Sequence, residues 1–312
     1  MKFTRKIIHT LFLLITLTLL AGVSWAQNPE GDPNGPRNRI HDQQAGSMLI
    51  YNYYTSSTLA GGPNTRISMT NTNPTTAVLM QLYFVEGTTG HTVPSGLELA
   101  PNQTVTFLTS DVDPNNTGYL IAQALSPYGS PMQFNYLMGV ATIKLASGHL
   151  ASLGALAVPM NANGSYAALP RELALDQVPS PLDDAKRLLI INRIDGNWTD
   201  AISPIGAWQS DLFNDQGMPD HFFSASQGPQ AKIFASNLIS FTNINNNYPA
   251  GHYGWLKLRP LGVGAITGAV LFFNRNPTTG VTSPAPGSYN LRHLSNTQAT
   301  ALTYSGGLLF GY

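Results

Sequence analysis

The sequence contains no cysteine, which excludes disulfides and thiolate metal sites and leaves stability to core burial and backbone hydrogen bonding. Charge is sparse too, since only 10% of the residues are Asp, Glu, Lys or Arg. Glutamate occurs only at Glu30, Glu86, Glu98 and Glu172, and the seven histidines are scattered singly. There is no G-x-S-x-G elbow, H-E-x-x-H or H-x-H pair, Walker loop or dinucleotide fingerprint. These absences remove the usual routes to an acid–base, nucleophilic or metal-dependent centre. The expectation is a protein that is not an enzyme and carries no organic cofactor, with a hydrolase the weakest reading. His149 and His252 are the histidines best placed for chemistry, and a lone histidine beside glycine ordinarily makes one loop hydrogen bond.

Glycine (29 residues) and proline (22) are plentiful among the 312 residues, and Asn and Thr are abundant. That mixture suits short strands joined by many turns. The first 26 residues have the three parts of a secretory signal peptide: Lys2, Arg5 and Lys6, the apolar run Leu11–Leu20, and the small-x-small site Ser24-Trp25-Ala26. Its removal takes the 16 basic residues to 13 against 16 acidic, a net charge of −3, with no basic patch for nucleic acid. No later run is long and apolar enough for a transmembrane helix. Residues 27–44 hold Pro, Gly, Asn and charge without apolar periodicity and are expected to form a flexible leader.

From Ala45 onward, short apolar or alternating runs recur between turn signals. Ser47–Tyr54, Arg66–Asn71, Val78–Glu86 and Thr104–Leu108 read as strands. Thr117–Gly139 reads as a hairpin, with strands Gly118–Leu125 and Met132–Leu137 around the turn Ser126–Ser130. Ala151–Val158 reads equally as a buried strand or a short helix. The pattern then returns: Arg187–Arg193 stands where Arg66–Asn71 stood, Ile239–Thr242 where Val105–Leu108 stood, Gly254–Leu258 where Gly118–Ala122 stood, and Thr267–Asn274 where Gln133–Gly139 stood. The fold class expected is all-β: two tandem immunoglobulin-like antiparallel β-sandwich domains, a degenerate duplication. The first spans residues 45–177, the linker 178–186 and the second 187–312, with a last strand pair around Gly306-Gly307.

Two groups of residues are candidate sites. Asp111, Asp113, Asn115 and Asn116 place oxygen ligands at near-alternate positions of one loop, as a calcium ion requires, although such residues also cap turns through their own backbone. Asp195–Asp200 has a similar composition. Tyr51, Tyr53, Tyr54, Trp198 and Trp255 are candidates for a ligand or partner platform, because exposed aromatics stack on sugars and anchor interfaces.

The strings NTRISMTNTNPT (64–75), LAPNQTVTFLTSDVDPNNTGYLIA (99–122), FNYLMGVATIKLASGHLASLGA (134–155) and RELALDQVPSPLD (171–183) resemble a family of secreted bacterial proteins without an assigned activity. The resemblance covers most of the mature chain and implies export and an all-β fold. Proteins of that family tend to carry cysteines in the first-half loops, and this chain has none. The function expected is therefore a non-enzymatic structural or adhesive protein of the cell surface or extracellular matrix, self-assembling or bound to another surface protein. A glycan- or surface-partner-binding module using exposed aromatics is the alternative, and an outer-membrane β-barrel is the other. Export leaves both the periplasm and the cell exterior open as its location.

Overall fold

The computed structural model describes residues 40–146, 150–180, 182–183, 186–194, 198, 202–217, 219–238, 248–262, 264–273 and 287–295. Among the described residues, nine strands lie in the first half: β1 (Met48–Thr55), β2 (Asn64–Asn71), β3 (Val78–Glu86), β4 (Thr92–Leu99), β5 (Thr104–Leu108), β6 (Thr117–Leu125), β7 (Leu137–Lys144), β8 (Leu150–Gly154) and β9 (Leu156–Val158). Nine more described strands lie in the second: β10 (Glu172–Pro179), β11 (Lys186–Arg193), β12 (Gly206–Phe213), β13 (Pro219–Ser226), β14 (Gln230–Phe234), β15 (Tyr253–Pro260), β16 (Ile266–Phe273), β17 (Ser288–Asn290) and β18 (Arg292–Ser295). They form four antiparallel sheets: sheet I in the order β4-β3-β6-β1-β9, sheet II β5-β2-β7-β8, sheet III β13-β12-β15-β10-β18 and sheet IV β14-β11-β16-β17.

The order of the first half recurs strand for strand in the second, and so does the register. Tyr51 pairs with Leu120 and, beyond a bulge, Tyr54 with Gly118; Leu175 pairs with Leu256 and, beyond a bulge, Val178 with Gly254. Val85 faces Tyr119 as Phe213 faces Trp255, and Ser68 faces Val140 as Ile190 faces Ala269. A short 3₁₀ turn follows β5 and another follows β14. Gly118 and Gly254, equivalent in this scheme, share one cause: a Cβ on either would collide with the carbonyl oxygen of its cross-strand neighbour, Val85 or Phe213.

Sheets I and II close on a core that includes Leu49, Leu82, Phe84, Leu120, Ile67 and Ile143, and sheets III and IV on one that includes Leu173, Trp208, Leu256, Leu189 and Val270. Both halves are thus β-sandwiches, with inward residues alternating along each strand. All four sheets of described strands are open at two edges, so they do not close into a barrel. In an immunoglobulin domain the strands group as ABED and CFG. With β2, β3, β5 and β6 in the places of B, C, E and F, β1 lies beside β6 and β7 beside β2, so the terminal strands exchange places.

Several sequence expectations shift. Residues 132–136 are not a return strand: after the tight turn Met132 N–H bonds to Ala124 O, and Asn135 then draws the chain away by accepting from Ser47 Oγ (2.6 Å) and Met160 N–H (2.9 Å). The strand that answers β16 is therefore β7, and the one that answers β5 is β14; Ile239–Thr242 lies outside the described residues. Ala151–Val158 is extended, forming most of β8 and all of β9. The boundary drawn at 177 falls inside β10, which belongs to sheet III. The start of the chain described, expected as part of a leader, is docked: Ile40 is buried and His41 exchanges backbone hydrogen bonds with Ala157. The expected signal peptide and the expected Gly306-Gly307 strand pair lie outside the described residues.

The halves are packed together. The outer face of sheet I (Met48, Ile50, Tyr83, Val85, Tyr119, Ile121) is covered by Ile194, Trp198, Ile202 and Ala265 of the second half and by Ala167 and Leu169 of the connection. Burial on both faces explains why β1, MLIYNYYT, reads as a largely apolar run interrupted only by Asn52 before its closing Thr55. The outer face of sheet IV (Ile190, Ala269, Leu271) joins the first half's core cluster. Asn52, on the β1 bulge, donates to Gly268 O (3.0 Å) and Asn290 Oδ1 (2.8 Å) and accepts from Asn192 Nδ2 at its carbonyl (2.8 Å). Gln230 Nε2 completes the chain on Asn192 Oδ1 at 2.8 Å. A buried amide network joined in this way fixes one docking of the two halves.

Candidate functional site

The calcium-loop residues are engaged in holding their own turn. Asp113 is buried; one of its oxygens accepts from the Tyr54 hydroxyl and the other from Asn116 Nδ2 at 2.6 Å. Asn115 adopts a left-handed backbone (φ 61°) and its Oδ1 accepts from Thr58 N–H and Oγ1. Asp111 caps the 3₁₀ turn through Leu108 N–H. Their oxygens thus point to separate donors, where a calcium site needs free lone pairs converging on one point. Burial and the Asp113 carboxylate together push the Tyr54 hydroxyl far above its ordinary pKa, so it stays a donor. Among the described residues, no three His, Cys, Asp or Glu side chains gather as metal ligands would. Of Asp195–Asp200 only Trp198 is described, and His149 also lies outside the described residues.

The aromatic candidates separate sharply. Tyr51, Tyr53 and Tyr54 are buried, so they are core and not a platform. The bulge between Tyr51 and Tyr54 breaks the alternation, so that Tyr51, Tyr53 and Tyr54 all join one core cluster. Trp198 is buried as well, tilted against Tyr83 at 5.8 Å with its indole N–H on Ile194 O. Trp255 alone of the five is exposed, at 37%.

Around Trp255 lies the outer face of sheet III. The Trp255 and Phe213 rings stack at 4.2 Å and 8° on neighbouring strands, and Tyr253 and Phe223 are exposed on the same face, Phe223 at 68%. Beside the rings runs a polar strip. Arg259 Nη2 donates to Gln209 Oε1 (2.7 Å), Gln209 Nε2 to Asp211 Oδ1 (2.5 Å), and His221 Nδ1 lies 2.7 Å from the same oxygen. Lys257 bridges to Glu172 at 3.2 Å. Burial opposes the Asp211 charge, but the hydrogen bonds from His221 and Gln209 and the nearby cations outweigh it and hold its pKa below the usual range. A His–Asp pair serves catalysis when a nucleophile adjoins the imidazole. Ser210, next in sequence, is fully buried on the opposite side of β12. His252, the other histidine singled out, is half-exposed with Nδ1 2.5 Å from Asp215 Oδ2.

This face was missed in the sequence apart from Trp255. Its signal was present: Ala207–Phe213 and Asp220–Ala225 alternate around Asn214-Asp215-Gln216-Gly217, a hairpin signature. A concavity of about 560 Å³ lies where the incoming chain meets β18 and is lined by His41, Asp42, Asn290, Arg292 and His293 among others. Burial pushes the His293 pKa down to about 4 against the pull of Asp42. No protein-family model, curated protein or solved structure matches the chain.

Proposed function

We propose that this is an exported, non-enzymatic structural or adhesive protein of the cell surface or extracellular matrix, and that the outer face of sheet III is its contact surface. The observation that carries the reading is a difference in cover. The outer face of sheet I is packed under apolar side chains, while the equivalent face of sheet III leaves Trp255, Tyr253 and Phe223 in solvent. Exposed aromatics that share one sheet face with polar groups mark interaction surfaces. The Asp113 carboxylate and the Asn115 and Asn116 amides, which suggested a cation site, are occupied in holding their own turn.

Fractionation of producing cells tests this. The chain is expected, without its first 26 residues, in the surface or matrix fraction, and a Trp255→Ser/Phe223→Ser variant is expected in the medium. Retention of the intact sequence inside the cell would contradict it, as would surface retention unaffected by the double substitution. Glycan binding is the second reading, favoured by the hydrogen-bonding strip Gln209–Arg259 beside Trp255. It predicts quenching or a shift of Trp255 fluorescence by a soluble oligosaccharide, and a glycan array without signal would remove it.

A further inference from the structure

We propose that the interface joining the two sandwiches within the chain is repeated between chains, so that the first sandwich of a second copy docks on the second sandwich of the first. The proposal deepens the structural reading above and rests on it.

Inside the chain the interface has two sides. The first sandwich contributes its β1 bulge, with Asn52, and the part of sheet I around Val85 and Tyr119. The second contributes the outer face of sheet IV, with Ile190 and Ala269, and the connection after β11. Because order and register recur, each side has an equivalent elsewhere. Asp176, Phe213 and Trp255 take the places of Asn52, Val85 and Tyr119. Ser68 and Val140 take the places of Ile190 and Ala269.

Both equivalents are open. Trp255 is exposed on one, and Val140 and Met138 on the other, where 37% and 38% of their surfaces meet solvent. The second surface is hydroxyl-lined: Ser68 meets Thr106 at 3.0 Å and Thr70 meets Thr104 at 2.8 Å. Two different surfaces meeting in this way make a heterologous contact, which builds a ring or an open filament.

The test is sedimentation velocity and negative-stain microscopy of the purified mature chain across concentration, beside Val140→Glu and Trp255→Glu variants whose thermal melts confirm folding. Wild type is expected to form linear or ring oligomers, and each variant to associate about thirtyfold more weakly or worse. Mixed together, the variants are expected to give a one-to-one dimer and nothing larger, since each keeps one intact surface. Should a variant melt early, Thr70→Lys and Phe213→Ser replace it on the same two surfaces. A wild-type monomer at every concentration overturns the proposal, as do oligomers that survive both substitutions or variants that fail to complement. A monomer found in the surface fraction would overturn it while leaving the structural reading in place.

Discussion

The two sandwiches share strand order and register, yet one is covered on its sheet I face and the other is bare at the matching place. Tyr119 and Trp255 make the contrast concrete: both follow a close-packed glycine and both sit across from the equivalent residue of the neighbouring strand. Tyr119 is fully buried with its hydroxyl on Arg193 O at 2.5 Å, while Trp255 remains exposed. Position in the tandem array, and not local pattern, decides what each aromatic does.

The comparison is broken most severely at Tyr119. Tyr119→Ala removes a fully buried ring and should cost about 3–5 kcal/mol, as other large aromatic truncations do, read as a drop in the urea midpoint. Trp255→Ala, at the equivalent place, should change the monomer by about 1 kcal/mol or less. Equal losses at the two positions would mean that Trp255 is core.

A pH titration acts on the second sandwich next. Folded His293 holds its proton only below about 4, whereas the unfolded chain binds one from ~6.5 downward. Stability should therefore be full above about pH 6.5 and fall as the pH drops toward 4, by about 3 kcal/mol at most. Asp42 and His41 are the charged groups acting on it. His293→Asn should flatten the thermal-midpoint profile across that window, and an unchanged slope would assign the effect to other groups.

The seam is expected to yield a smaller change. Asn52→Ala leaves Asn290 Oδ1 and Gly268 O short of a donor, which should cost about 2 kcal/mol. Calorimetry should then resolve two transitions where wild type shows one. A single sharp transition with an unshifted midpoint would show that the amide network does not couple the sandwiches.

Much of the fold was legible in the sequence because its signals are local. Strands such as Val78–Glu86 and Thr104–Leu108 are bounded by Asn, Pro and Gly turns, and the alike segments Gly118–Ala122 and Gly254–Leu258 hold the same place and register in the two halves. What failed depended on partners distant in the chain. The tyrosines of β1 carry no mark of whether one face or two will be covered, and the bulge that turns Asn52 toward Asn192, 140 residues away, leaves no periodic trace. Asp113 looked like a cation ligand because the Tyr54 hydroxyl that occupies it comes from another strand.

Oxidative footprinting of a chain spanning residues 27–312 across concentration tests the comparison most directly, with buried Trp198 and Tyr119 as internal references. The account predicts that Trp255 and Met138 react readily in dilute solution and become protected together as concentration rises, while the references stay protected throughout. Trp255 and Met138 reacting alike at every concentration, or Tyr119 reacting as fast as Trp255, would contradict it.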